Sequence, residues 1–141
     1  MKKTGAATLP ARALTGGKKR SGAGYFVEPT VLVNARPEMK VVQEEIFGPV
    51  VAAIPFSDPE EVLAAGNKSD YGLAAAVWTR DVSKAHELAA RLRAGTVWVN
   101  CFNIFDAALP FGGYKQSGWG REMGREALEL YTEVKSVCVK L

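Results

Sequence analysis

The chain has 141 residues, 48% of them hydrophobic and 23% charged, with a net charge of +3. That balance excludes a disordered or fibrous protein and fits a single globular domain with an apolar core. Two cysteines and one histidine exclude a Cys/His zinc set, so no metal site is expected, and no apolar run approaches the length of a membrane-spanning helix.

Positive charge gathers at the start, in Lys2, Lys3, Lys18, Lys19 and Arg20. No aromatic residue interleaves with it, so residues 1–24 read as a flexible basic segment, with no nucleic-acid or membrane partner expected. Met1-Lys2-Lys3 is followed by no apolar stretch of the kind a secretion signal needs, and a cytoplasmic protein with free thiols is expected. From Tyr25 the pattern changes. Val31-Leu32-Val33 is a strand candidate, a helical turn fits between Pro37 and Glu45, and Val50–Phe56 reads as a buried strand. Asp58, Pro59 and Glu61 carry the cap, first-turn proline and capping carboxylate of a helix that ends near Asn67–Asp70. Leu73–Trp78 is a second buried strand. Asp81 caps a second helix with Ala85, Leu88, Ala89 and Leu92 at helical spacing, and Gly95 is placed to close it. Thr96–Asn100 is a third strand.

The expected fold is therefore α/β, a β-α-β-α-β parallel core flanked by helices. A long glycine- and aromatic-rich loop follows over 101–120, then a helix over roughly Arg121–Tyr131. The alternating segment Glu133–Lys140 suits a strand with one wet face, and it has no evident partner in this chain. The expected division is 1–24, a core domain over 25–120, and a helix and strand over 121–141.

Two stretches could carry chemistry. In Glu44-Glu45-Ile46-Phe47-Gly48-Pro49-Val50, a carboxylate could accept ribose hydroxyls while Phe47 packs on the sugar or its base. On spacing alone, a helix end with solvated acids and a core Phe is the preferred reading. In Leu109–Glu122, glycines and the rings of Phe102, Phe105, Phe111, Tyr114 and Trp119 could line an apolar pocket or form an aromatic subunit contact, and spacing does not decide between them. Gly118, Gly120 and Gly124 have the wrong spacing for a dinucleotide fingerprint. Cys101 has no neighbouring base or cation in sequence to make it a nucleophile and reads as an inert thiol; Cys138 reads as a packing residue and His86 as a surface helix residue.

Taken together, Gly24–Val31, Glu44–Val50, Tyr71–Ala75, Ala94–Asn100, Pro110–Gly118 and Gly120-Arg121-Glu122 resemble, in order and spacing, the aldehyde dehydrogenase superfamily, from about residue 11 to the end. The resemblance implies the carboxy-terminal part of an NAD- or NADP-dependent enzyme that oxidises an aldehyde to a carboxylic acid. It implies that Glu45 holds the nicotinamide ribose, that Phe47 lies beside the nicotinamide, and that Phe105 and Phe111 wall the aldehyde tunnel. Glu122 resembles a proton-relay acid, and the last strand an oligomerisation segment, so a homo-oligomer is expected. Family members are longer chains, and the dinucleotide domain, the nucleophilic Cys and the general-base Glu match nothing here. The resemblance thus implies that the chain alone is inactive and binds no cofactor tightly. The alternatives are a non-catalytic, self-associating assembly module and one half of a split enzyme. The loop around Asp106–Leu109 suits a medium-sized apolar or aromatic aldehyde. The choice between NAD and NADP stays open, because the residues that read the adenosine ribose fall outside these motifs.

Overall fold

A computed structural model describes residues 10–141, which divide at Asp58/Pro59 into two compact units. In the first unit, β1 (Arg12–Thr15) runs antiparallel to β2 (Thr30–Val33), and β2 runs parallel to β3 (Val50–Ala52). The single-turn helix α1 (Lys40–Gln43) makes the crossover between the parallel pair. Thr30 locks the start of β2. Its hydroxyl donates to the Glu28 carbonyl and accepts the Gly17 N–H, both at 2.8 Å. Gly16, at φ +70°, lets the chain pass here, because a Cβ would lie 2.1 Å from the Pro29 carbonyl oxygen.

These contacts revise the reading of residues 1–24 as a loose end. Residues 12–15 are a strand, and Lys19 bridges Val27 in a second antiparallel pairing. The edge of β2 supplies hydrogen-bond partners that a local, composition-based reading does not see. Lys2 and Lys3 lie outside the described residues.

The second unit carries α2 (Pro59–Lys68), β4 (Tyr71–Gly72), β5 (Ala74–Val77), α3 (Val82–Arg91), β6 (Thr96–Val99), β7 (Tyr114–Lys115) and α4 (Glu126–Glu129). β5 and β6 pair in parallel, Ala74 with Thr96 through Val77 with Val99, across the α3 crossover. β4 and β7 form a short antiparallel pair. The expected cap of α3 is present, with the Asp81 carboxylate accepting the Lys84 N–H at 3.1 Å. Arg91, at the end of α3, reaches both carboxylate oxygens of Glu60 on α2 at 2.6 Å and Glu87 at 2.8 Å.

Four features differ from the sequence-based expectation. A single parallel sheet of residues 50–56, 73–78 and 96–100 does not form; β3 pairs with β2, which α1 brings alongside, and of the three expected strands only the second and third, as β5 and β6, pair with each other. Gly95 does not cap α3: the helix ends through Leu92, whose N–H reaches the Leu88 carbonyl at 2.9 Å. Gly95 instead permits a close approach, since a Cβ would sit 1.6 Å from the Gly112 carbonyl oxygen. The helix over 121–131 shrinks to Glu126–Glu129. Glu122 is committed to a bridge with Phe111, and Met123 and Gly124 take left-handed φ values of 60° and 61°, which an α-helix excludes. Residues 132–141 have no strand pairing among the described residues, and Val134, Val137, Cys138 and Val139 are exposed, so Cys138 packs against little. An alternating segment becomes a strand only when a neighbour accepts its hydrogen bonds.

The buried core is thin. Ala35 in the first unit and Leu63, Ala85 and Trp98 in the second are its apolar members. The chain exposes 12083 Å².

Candidate functional site

In the first unit, α1 ends at Gln43 and the chain leaves it extended at Glu44. Glu44 is drawn to Lys40, 3.4 Å away, one turn back on the helix. Glu45 is exposed, with no ion pair among the described residues, and two positions on Phe47 is 95% exposed. The acids are solvated, as the spacing predicts, but Phe47 is not a core residue. Its ring helps line an open depression of about 450 Å³ with Tyr25, Phe26, Ile46 and Pro49. A bare aromatic face beside an open depression can stack on a flat ring; Glu45 does not line the depression but directly precedes Ile46, which does.

In the second unit, β6 delivers the chain into the aromatic loop. Asn100, at φ +54°, clasps the end of β5: its side-chain oxygen accepts the Thr79 N–H at 2.8 Å, and its amide donates to the Thr79 carbonyl at 2.9 Å. The side chain thus continues the parallel ladder by one step. Beyond it, Trp98 meets Phe102 and Phe105 edge-on, with centroids 5.2 and 5.7 Å apart, and Phe105 meets Phe111 at 5.1 Å. Phe111 in turn exchanges two backbone hydrogen bonds of 2.7 Å with Glu122. The structure therefore brings the Phe105 and Phe111 rings into contact and ties Glu122 to Phe111 through the backbone, with the Glu122 side chain exposed.

The loop between Phe111 and Glu122 is held from inside. The Arg121 guanidinium donates to the Gly120 and Gly113 carbonyls at 2.6 and 3.1 Å and lies 5.4 Å from the centre of the Tyr114 ring. The Lys115 ammonium donates to the Asn67 and Ser69 carbonyls, 2.8 Å each, at the carboxyl end of α2 where a cation is favoured. Ser117 accepts the Gly72 N–H at 3.0 Å. Cys101 is a half-buried free thiol, and His86 sits exposed on α3. No cluster of three His, Cys, Asp or Glu able to hold a metal occurs among the described residues. None of their helices is long and apolar enough to cross a membrane.

Sequence reasoning singled out Phe105, Phe111 and Glu122 but not the groups that place them. Trp98, Asn100, Arg121 and Lys115 hold backbone carbonyls, from Gly120 next to Arg121 to Asn67, 48 residues from Lys115. The available signal was a tryptophan closing a buried strand directly before an aromatic loop.

The model of the Aldehyde dehydrogenase family matches residues 4–137. The chain belongs to this family. It is 62% identical over 131 residues to DhaS of Bacillus subtilis (strain 168), covering 93% of this chain and 26% of that protein. The aldehyde dehydrogenase of Agaricus bisporus is 56% identical over 126 residues, which are 89% of this chain and 25% of that enzyme. A Bacillus cereus aldehyde dehydrogenase, solved as an NAD+ complex, superposes with a TM-score of 0.88 at 53% identity, over 93% of this chain and 27% of that one. The chain thus spans about a quarter of the length of the aldehyde dehydrogenases it matches.

Proposed function

We propose that this chain supplies part of the active site of an NAD- or NADP-dependent aldehyde dehydrogenase that oxidises an aldehyde to a carboxylic acid. The Glu45 carboxylate binds the hydroxyls of the nicotinamide ribose, and Phe47 packs beside the nicotinamide, which accepts hydride when bound. The exposed Phe47 ring, which lines an open depression, and the acid two residues before it, which has no ion pair among the described residues, support this reading. Phe105 and Phe111 wall the path of the aldehyde and exclude water from it. The Glu122 carboxylate, tied by backbone to Phe111, receives a proton on its way out. The nucleophilic thiol and the general base come from elsewhere, so the chain alone turns over no aldehyde. Residues 133–140 pair as a strand with another subunit in a homo-oligomer, and the protein works in the cytoplasm. The observation that carries the proposal is the contiguous run from Phe105 through Phe111 to Glu122, within a chain of this family.

The test has two arms. The purified chain is assayed with NAD and NADP and with short aliphatic and aromatic aldehydes; no turnover is expected. The chain is then exchanged for the matching quarter of the Bacillus cereus enzyme, and the hybrid is expected to oxidise aldehydes. In the hybrid, Glu45→Gln removes a charge-assisted hydrogen bond of about 1.5–3 kcal/mol, a loss of about 10- to 100-fold in cofactor affinity. Turnover by the isolated chain, or unchanged cofactor affinity in the variant, refutes the assignment.

A further inference from the structure

The aromatic wall of the second unit hangs on one residue that does not itself belong to the exposed surface. Trp98 sits in β6 with 8% of its surface exposed, while Phe102 and Phe105, which lean on it, are 61% and 47% exposed. Its indole N–H donates to the Ile104 carbonyl at 2.8 Å, the peptide unit that leads directly into Phe105. Its ring meets Phe105 at an interplanar angle of 89°, and Phe105 meets Phe111 at 83°, so each ring edge points at a neighbouring face.

We infer that Trp98 is the positioning residue that fixes the ring plane of Phe105, and through it the width of the wall that selects aldehydes by size. The inference rests on the reading of Phe105 and Phe111 as that wall. Its physical basis is a difference in anchoring. Trp98 rides on a strand paired in parallel with β5 and packed under α3, where Ala85 is buried. Phe105 rides on a loop with no regular secondary structure of its own. The indole carries the rigidity of the strand into the loop twice, once through the Ile104 carbonyl and once through the edge contact with the ring. Without the N–H, the carbonyl before Phe105 loses this donor and turns to water. The loop then samples other paths, and the Phe105 ring no longer holds one face to Phe111.

Two substitutions separate the hydrogen bond from the bulk of the ring. Replacing Trp98 by benzothienylalanine keeps the bicyclic shape and deletes only the N–H; Trp98→Phe also removes volume. In the full chain, ring-to-ring NMR contacts between Phe105 and Phe111 are followed, with the β5–β6 backbone contacts as the control for folding. In the hybrid with the Bacillus cereus enzyme, KM and kcat are measured for acetaldehyde and phenylacetaldehyde. With benzothienylalanine, the Phe105–Phe111 contacts are expected to weaken while β5–β6 stays paired. KM for phenylacetaldehyde is expected to shift at least 5-fold, with kcat for both aldehydes and KM for acetaldehyde within 2-fold. Trp98→Phe should repeat that pattern at larger size.

Equal losses of kcat for both aldehydes, or ring contacts that persist unchanged without the N–H, overturn the inference. Phe105→Ala separates it from the reading beneath it. If Phe105→Ala changes size selectivity and the Trp98 replacements do not, the positioning role falls alone. If Phe105→Ala also leaves selectivity unchanged, Phe105 is no tunnel wall and both fall.

Discussion

Replacing Asn100 tests whether a side chain can serve as a rung of a sheet. Asn100→Ala removes two hydrogen bonds to Thr79, of 2.8 and 2.9 Å. Both are exposed to water, so each contributes about 0.5–1 kcal/mol, the lower part of the usual net range. Alanine must also hold the left-handed φ of +54°, where it lacks the local side-chain hydrogen bonding that lets Asn tolerate this region, at about 1 kcal/mol. The total is about 2.5 kcal/mol. Asn100→Asp keeps the acceptor for the Thr79 N–H and tolerates the φ, but it sets a carboxylate oxygen against the Thr79 carbonyl in place of the donor, and should cost about 1.5 kcal/mol. Urea unfolding followed by tryptophan fluorescence reads the difference. With so few buried apolar side chains, a shallow denaturant slope of about 1 kcal/mol per molar is expected, so the alanine variant's midpoint should fall by about 2.5 M or its transition vanish. Equal midpoints for the alanine and aspartate variants, or an alanine shift under about 0.3 M, would sink the reasoning.

Two further outcomes are expected. Gly95→Ala must push the Gly112 backbone away, since its Cβ would lie 1.6 Å from that carbonyl oxygen and 2.7 Å from the carbonyl carbon. A loss of about 3 kcal/mol is expected, against less than about 0.5 for Gly48→Ala, whose added methyl meets nothing within 4 Å; comparable urea midpoints for the two refute the steric account. The second outcome concerns pH. Glu60 is held below its ordinary pKa of 4.5 chiefly by hydrogen bonding from Arg91, with their opposite charges adding to it. Its folded pKa being depressed, the stabilisation is present above 4.5 and is lost as pH falls through the folded value. Arg91→Ala should therefore flatten the acid side of the stability profile, and profiles that run parallel to the wild type's would contradict the coupling.

Local chemistry made much of this fold legible. The Asp81 cap, the start of α2 at Pro59 and the apolar runs at 31–33, 73–78 and 96–100 are written in neighbouring residues and recur in the structure as the α3 cap, α2, β2, β5 and β6. Partnership was not legible. Nothing in Val50–Ala52 says that it pairs with 30–33 rather than 74–77, and nothing in Arg12–Thr15 announces a strand, because the hydrogen-bond partners lie elsewhere. Gly95 shows the same limit. Its place just after α3 suggests a cap, while its work is to admit the Gly112 backbone 17 residues later. Within the candidate site, the surface rings and acids could be named from motifs. The inner supports, Trp98 with its Ile104 contact and Arg121 with its two carbonyls, depend on how the loop closes on itself.

The thin core has a thermal consequence. Heat capacity rises on unfolding because apolar surface meets water, usually by about 12–15 cal/mol/K per residue. With Tyr25, Phe47, Trp119, Tyr131 and Val134 already solvated in the native chain, much of that hydration change is complete before unfolding begins. The stability curve of this chain is therefore expected to be flatter than that of a compact domain of equal length, and scanning calorimetry should show a low, broad transition. The missing heat capacity should appear when a surface is provided to cover those side chains, as a negative heat-capacity change of association that scales with the area covered.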